Sequence, residues 1–275
     1  MYGIEEFPTL PTVYMALNEV MSNQNSTATD VANVISADQA CSTKILKTAN
    51  SSIYGFRGKI DSVAQAIFFI GFQEVKNLVL TLGIMDIFRQ TSCGSAFNPV
   101  DLWKHSIGVG AITRTLGEEL KVGDIENYLL AGVLHDIGKL LFLRSLETEY
   151  MKTIHYAIDN KIGVRTAEVE IMGITHTLAG ELVADRWKLP VQLKNAIRYH
   201  HSGMIKNNMN KLVACVHLAD ILARMYEMGN GGDMIIPEPN PRIWEDLGME
   251  PKSFMKCWET IMENYEESLS IFVLN

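Results

Sequence analysis

The sequence predicts an all-α protein in which a helical bundle follows an N-terminal helical subdomain. Apolar residues recur with helical spacing along almost the whole chain, and Ser, Thr or Asp stands before several of these runs as a cap. Clusters of Gly, Pro and small polar residues end the runs. With 275 residues and 47% apolar content, the chain can bury a large core.

The first part of the chain, residues 1–98, predicts a set of short amphipathic helices. Apolar residues at helical spacing follow Pro11, and the stretch STATDVANVISAD provides a Ser or Thr cap before a second helix. A third helix is expected from Asp38, with its end near ANSSIYG, where small polar residues and Gly favour a turn. Residues 61–89 predict two packed helices.

The stretch RQTSCGSAFNP, residues 89–99, is the best candidate for a domain boundary, because small and polar residues cluster before a proline. Helices are then expected at residues 100–119, 125–137, 147–160, 175–187, 191–201 and 210–228. The segment GNGGDMIIPEPNP predicts an exposed loop before one or two terminal helices. We therefore expect divisions at 1–98, 99–228 and 229–275.

Charge and cysteine content narrow the function. The chain carries 32 acidic and 24 basic side chains, a net charge of −8, and no basic patch offsets the repulsion from a nucleic-acid backbone. No apolar run reaches the roughly 18 to 20 residues that span a bilayer, and the N-terminus is acidic and proline-bearing. The four cysteines are far apart and form no CxxC pair. We expect a cytoplasmic protein with neither a nucleic-acid nor a membrane partner.

The stretch GVLHDIGKLLFL sets three ionisable side chains inside a run that otherwise indicates a buried helix face: His135, Asp136 and Lys139. An ionised group buried without a partner costs several kcal/mol, so these residues must be paired, solvated or bound to a metal. An ordinary ion pair between Asp136 and Lys139 at a helix end is the alternative interpretation.

All seven histidines follow residue 100, and several fall on helix faces that are expected to point inward. The inward-facing candidates, with two carboxylates, are His105, His135, Asp136, His176, His200, His201 and Asp220. Imidazole and carboxylate ligands together suit one or two divalent transition-metal ions, namely Zn, Fe, Mn or Ni. Two ions about 3.5 to 4 Å apart would bind a phosphate oxygen and activate a water molecule. Lys139 could then meet a non-bridging phosphate oxygen.

Each of these residues also has a structural interpretation. His105 alone would be a hydrogen-bonded core histidine. Adjacent helical residues diverge by about 100°, so an ordinary helix would direct only one of His200 and His201 at a site. His155 and His217 are expected to be structural or surface residues, with His217 close enough to Asp220 in sequence to support a ligand.

The order of these residues resembles the H…HD…D signature of the HD superfamily of metal-dependent phosphohydrolases. The stretches FPTLP, ISADQACSTKILKTANSSIYGF, IDSVAQAIFFIGFQEV and CVHLADILA are similar to the HDOD domain, a bacterial signalling relative of that superfamily. So is AEVEIMGITHTLAGELVADRWKLPVQLKNAIRYHH. The resemblance covers roughly residues 4 to 228 and implies a helical bundle of the HD type for the second unit.

The resemblance also implies a ligand arrangement and a function. A first metal would be held by His105, His135, Asp136 and Asp220, and Asp136 would bridge to a second metal held by His176, His200 and His201. Asp136 and Lys139 are the expected catalytic residues. The implied activity is hydrolysis of a phosphoester or nucleotide in a signalling context. Cyclic di-GMP is not the expected substrate, because HHSGMIKNN stands where that branch carries Gly-Tyr-Pro. The alternative is a non-catalytic signalling or adaptor module that keeps a metal or ligand pocket and binds a partner protein.

Overall fold

The computed structural model describes residues 8–10, 12–23, 25–51, 54, 56, 58–91, 97–250 and 255–273. These residues are helical apart from loops and one short β-ribbon, which confirms the all-α prediction. The chain divides into two compact units, one of Met1–Pro8 with Phe88–Met262 and one of Thr9–Ile87 with Glu263–Asn275. The divisions expected from the sequence stay predictions, and part of the candidate boundary, residues 92–96, lies outside the described residues.

The smaller unit begins with short capped helices. Its helices are α1 (Thr12–Ser22), α2 (Ala28–Ser36), α3 (Gln39–Ala49), α4 (Val63–Ile70) and α5 (Phe72–Arg89). Thr27 and Asp30 form a reciprocal capping box at the start of α2, and Asp38 accepts the backbone N–H of Cys41 at 2.9 Å to cap α3. Gly71, with φ +96°, separates α4 from α5. The expected turn at ANSSIYG falls partly outside the described residues.

The larger unit contains the bundle that was expected to carry the site. Its helices are α6 (Pro99–Glu119), α7 (Ile125–Leu134), α8 (Ile137–Ser145), α9 (Glu147–Asn160), α10 (Val164–Ala167), α11 (His176–Arg186), α12 (Val191–Tyr199), α13 (Lys211–Met225) and α14 (Pro241–Leu247). A π-helical turn, Glu168–Met172, continues α10, and the strands Met204–Ile205 and Asn208–Met209 form the antiparallel ribbon. A last helix, α15 (Trp258–Phe272), follows in sequence.

The helix predicted at 125–137 is too long, and the break that ends it is important for the site. Helix α7 ends at Leu134 and α8 begins at Ile137, so His135 and Asp136 lie in the turn between two helices. The His135 ring bonds back to the Gly132 carbonyl at 2.7 Å, and Asp136 has a non-helical ψ of 17°. A regular helix would have directed the two side chains about 100° apart.

Glycines allow neighbouring helices of the bundle to pack with their backbones in direct contact. A Cβ at Gly132 of α7 would lie 2.6 Å from the Gly110 Cα of α6. A Cβ at Gly138 of α8 would collide with the carbonyl oxygen of His176 and would lie 2.6 Å from the Gly180 nitrogen on α11. Since these obstacles are backbone atoms, they cannot move without shifting a helix. Gly138 thus holds the start of α11 against the turn that carries Asp136.

Within the described residues no single helix is long and apolar enough to cross a membrane. The pair α4 and α5 reaches the required length and composition only together, and it is bent by 118°.

We expect Gly138→Ala to lower the free energy of unfolding by about 1 to 3 kcal/mol, because the added methyl forces α8 away from α11. Gly123→Ala is the matched control, since nothing lies within 4 Å of the Cβ that it adds. Urea denaturation measures both variants. Equal stability of the two would mean that the helices do not pack as closely as described.

Candidate metal centre

The larger unit brings together every metal-ligand candidate that the sequence indicated. Three overlapping groups have their ligand atoms within 4.8 Å of one another: His105, His135 and Asp220; His135, Asp136 and His200; and His176, His200 and His201. Helix α6 carries His105, the turn before α8 carries the His135–Asp136 pair, and α13 carries Asp220. The remaining histidines come from the start of α11 and from the turn that follows α12.

The candidate ligands can be divided into two groups around the carboxylate of Asp136. The first group consists of His105, His135 and Asp220. The Oδ1 atom of Asp220 is 3.1 Å from His105 Nε2 and 3.8 Å from His135 Nε2. His135 Nε2 is also 3.2 Å from Asp136 Oδ2, so this imidazole nitrogen faces two carboxylates. These side chains are almost entirely buried.

The second group consists of His176, His200 and His201 and lies beside the other oxygen of Asp136. Oδ1 is 3.3 Å from His176 Nε2 and 3.7 Å from His200 Nε2. The group is completed by His201, whose Nε2 is 2.9 Å from His176 Nε2. Asp136 therefore lies between the two groups, with one oxygen directed at each.

Both members of the His200–His201 pair reach the second group. The structural interpretation, in which one of them diverges, assumed a helix through both residues, but α12 ends at Tyr199 and the pair lies in the turn that follows. His200 is fully buried, whereas His201 is partly exposed. The end of the helix allows two adjacent rings to face one site.

Several ligand atoms at the centre lack a hydrogen-bond partner. Among the described residues, His135 Nε2, His200 Nε2 and both Asp136 carboxylate oxygens are buried without a directed hydrogen bond. Asp136 Oδ2 does have an ionic neighbour, Lys139 Nζ at 2.7 Å, but not at hydrogen-bond geometry. Buried polar atoms are rarely left in this state, and a bound cation is one ordinary explanation.

The opposite ring nitrogens are held by neighbouring groups. His135 Nδ1–H donates to the Gly132 carbonyl at 2.7 Å, and His200 Nδ1–H donates to the Ile197 carbonyl at 2.9 Å. His176 Nδ1 lies 2.7 Å from Glu168, which also accepts the His176 backbone N–H at 2.8 Å. With the proton on Nδ1, each Nε2 presents its lone pair to the centre, as a metal ligand must.

Burial and charge together shift the pKa values at the centre. Burial would raise the pKa of Asp136, but the neighbouring His135 and Lys139 outweigh it and hold that pKa well below its ordinary value. For Asp220 burial is likewise outweighed, chiefly by Arg224, and the pKa falls well below normal. Burial holds the pKa of His200 well below its usual value. Burial would lower the pKa of His135, but Asp136 outweighs it and raises that pKa. Metal binding requires ionised carboxylates and neutral imidazoles, so a bound cation would take the place of the proton that His135 holds beside Asp136.

The centre contains more buried negative than positive formal charge. Its ionic side chains are the carboxylates of Asp136, Glu168, Asp220 and Asp233 and the cations of Lys139 and Arg224. Counted with the imidazoles neutral, the form in which they bind a metal, four carboxylates and two cations leave a surplus of two negative charges. One divalent cation would balance that surplus, so the donor set and its charge fit a metal ion.

The ammonium group of Lys139 is surrounded by oxygen atoms of the protein. Its Nζ is fully buried, lies 2.7 Å from Asp136 Oδ2, donates to the Gly231 carbonyl at 2.7 Å, and is 3.9 Å from Asp233 Oδ2. The loop after α13 therefore covers this side of the centre. The expectation that Lys139 meets a phosphate oxygen stays a prediction, and in this arrangement protein oxygens occupy the surroundings of its ammonium group.

Glu168, Arg224 and Asp233 belong to the centre but were not predicted. Arg224 binds Asp220 through two bonds, at 2.8 and 2.7 Å, and lies 3.1 Å from Asp233. Its position four residues after Asp220 places both on one face of α13, which is a signal that the sequence contains. Glu168 and Asp233 reach the centre from a π-helical turn and a loop, where no periodicity indicates which side chain points inward.

His155 and His217, which were expected to be structural or surface residues, are in none of the three groups found among the described residues. His155 is exposed on α9. His217 donates from Nδ1 to the His200 carbonyl at 2.7 Å and accepts the Asn240 N–H on Nε2 at 3.2 Å. His217 therefore supports the turn that carries His200 and His201.

Residues 7–203 match the sequence model of the HDOD domain, and the chain belongs to this family. An uncharacterized protein of Treponema pallidum is 23% identical over 229 residues, which are 82% of this chain and 43% of that protein. Bacillus subtilis YuxH is 36% identical over 128 residues, 46% of this chain and 30% of YuxH. The matches thus span less than half the length of these curated relatives.

Solved structures share the fold. An HDOD domain protein of unknown function from Geobacter sulfurreducens is 25% identical, with a TM-score of 0.80 and coverage of 98% of this chain and 95% of that one. A candidate metal-dependent phosphohydrolase from Shewanella amazonensis SB2B is 21% identical, with a TM-score of 0.66 and coverage of 94% and 92%. A candidate signal transduction protein from Marinobacter aquaeolei VT8 is 19% identical, with a TM-score of 0.74 and coverage of 96% and 59%.

We expect Arg224→Met to lower the free energy of unfolding by about 3 to 5 kcal/mol, because it removes the guanidinium that pairs with the buried carboxylates of Asp220 and Asp233. The control is Lys194→Met, which breaks an exposed ion pair with Asp185 and leaves the thermal midpoint essentially unchanged. Both are measured by thermal unfolding in a chelator. An Arg224→Met protein as stable as the control would contradict the ionic network.

Proposed function

We propose that the chain is a metal-dependent phosphohydrolase that acts on a phosphoester or nucleotide in a signalling context. The observation that carries this proposal is the position of Asp136, a buried carboxylate with one oxygen directed at each of two histidine groups. The two-sided arrangement is typical of a carboxylate that bridges two cations. Membership of the HDOD family, and the name of the Shewanella neighbour, support the same reaction class.

The proposed ligand sets follow the two groups. The first cation would be held by His105, His135, Asp136 and Asp220, and the second by Asp136, His176, His200 and His201. When bound, such ions polarise a phosphoryl oxygen and lower the pKa of a bound water molecule.

The protein's own residues prepare the centre for this chemistry. Glu168 and the carbonyls of Gly132 and Ile197 hold the three imidazole rings in one tautomer, so that no reorientation is needed when a ligand arrives. Asp136 stays ionised beside Lys139, so that both of its oxygens can serve as ligands of the proposed cations. In this proposal Lys139 acts as a positioning residue, because its ammonium group holds Asp136 Oδ2.

We expect the purified protein to contain about one or two transition-metal ions per chain, since two groups of ligands share Asp136. Asp136→Ala and His200→Ala are expected to lower that content, because each removes a donor from the centre. His155→Ala, which removes an exposed histidine, retains the wild-type content. Elemental analysis of the purified proteins decides the question. Metal content that is negligible in the wild type, or equal in all four proteins, would overturn the proposed ligand sets.

We also expect slow hydrolysis of a generic phosphomonoester that is lost in Asp136→Ala and retained in His155→Ala, because only the former variant lacks the carboxylate shared by both groups. Phosphate release from a panel of phosphomonoesters and nucleotides measures the activity. Equal release by the wild type and Asp136→Ala would indicate a contaminating enzyme and would contradict the assignment.

A second candidate function is a non-catalytic signalling module that binds a partner protein. One observation favours it: a cluster of phenylalanines is exposed in the smaller unit, with Phe68 82% exposed, and Phe56, Phe69 and Phe72 also exposed. The Phe56 and Phe69 ring centroids lie 4.1 Å apart. Exposed apolar clusters of this kind often mark interaction surfaces. A wild-type protein that binds metal but hydrolyses no member of the panel would favour this alternative.

A further inference from the structure

A pocket of about 270 Å³ opens beside the partly exposed histidine of the second group. It is lined by Arg165, Arg198, Tyr199, His201 and Ser202, and we call it the arginine pocket. Because His201 lines the pocket and its Nε2 lies 2.9 Å from His176 Nε2, the pocket adjoins the candidate metal centre on the side nearest solvent.

Both arginines have guanidinium N–H groups that make no hydrogen bond within the described part of the chain. Arg165, at the start of α10, is exposed and has no hydrogen-bond or ion-pair partner among the described residues. Arg198 uses Nε for Glu181 at 3.1 Å and donates from Nη1 to Thr177 Oγ1 at 3.2 Å. In the described part of the chain its Nη2 has no partner. These two contacts fix the orientation of the guanidinium, which reduces the entropy lost when a ligand binds.

The two buried cations of the centre, Lys139 and Arg224, are not accessible to an anionic ligand in the same way. Lys139 faces Asp136, Asp233 and the Gly231 carbonyl, while Arg224 is bound to Asp220 and Asp233. An anion that approached either of them would have to displace a buried carboxylate. An anion that approaches the histidines through the arginine pocket meets the exposed guanidinium of Arg165 and the partly buried one of Arg198. None of the pocket-lining residues is a carboxylate.

We propose that the arginine pocket is the phosphate-binding subsite of the centre, with Arg165 and Arg198 donating hydrogen bonds to the oxygens of a phosphomonoester. Guanidinium groups match phosphate oxygens in both charge and geometry. The volume is slightly below the roughly 300 to 1,000 Å³ of pockets for drug-sized ligands. The proposed ligand class is a phosphomonoester, because its charged terminal oxygens suit two guanidinium donors.

This inference rests on the proposed function, but phosphate binding can be measured without turnover. The test titrates inorganic phosphate into the metal-containing full chain by calorimetry. We expect the Arg165→Gln/Arg198→Gln double variant to bind phosphate about tenfold or more weakly, because it lacks two charged donors. Lys194→Gln, which removes an exposed cation from the same helix as Arg198, is the matched control and binds as the wild type does.

Further measurements separate a binding defect from a folding or metal defect. Metal content and the thermal midpoint of the double variant are expected to equal those of the wild type, and Arg198→Lys is expected to retain part of the affinity because it keeps the charge. Wild-type affinity is expected to fall with added salt. Phosphate binding that is absent from the wild type, or unchanged in the double variant, would overturn the subsite.

The two proposals fail in different ways. If phosphate binding depends on the arginines but no phosphoester is hydrolysed, the subsite stands and the catalytic proposal fails. If phosphoesters are hydrolysed with the same KM by the wild type and the double variant, the catalytic proposal stands and the subsite fails.

Discussion

The centre depends on one constraint, which is that Asp136 is buried as an ionised carboxylate. An isolated charge at such a depth would cost several kcal/mol, so the surroundings must supply positive charge and hydrogen-bond donors. Lys139 supplies part of this at 2.7 Å from one oxygen, and imidazole nitrogens lie around both oxygens. The surplus of carboxylates over cations makes the same centre a favourable place for a divalent ion.

Interruptions of the helices place the ligands as much as the helices do. His135 and Asp136 lie in the turn between α7 and α8, and His200 and His201 lie in the turn after α12. Each turn presents two adjacent side chains to one place, which a continuous helix cannot do. Close packing then fixes the turns relative to one another, because Gly138 admits the backbone of α11. The affinity of the centre and the stability of the bundle are therefore coupled.

The positively charged side chains in and beside the centre have two different roles. Lys139 and Arg224 are buried and neutralise the carboxylates of the centre, which holds those ligands in place. Arg165 and Arg198 lie nearer the surface beside His201, where a ligand can reach them without breaking a buried ion pair. This division allows a chain of net charge −8 to attract an anion at one place, because local geometry rather than net charge decides the potential in a pocket.

Helical periodicity, caps and breaks were sufficient to predict the all-α fold, because these signals are local and each helix must bury one face. Histidines and carboxylates in apolar stretches indicated the ligand candidates, since buried polar groups require partners. Glu168 and Asp233 could not be placed in this way, and only the resemblance to the HD superfamily implied that both His200 and His201 are ligands. Their directions depend on where a helix ends and how a loop folds over its neighbours. Those features are decided by packing between segments distant in sequence, and therefore only by the tertiary structure.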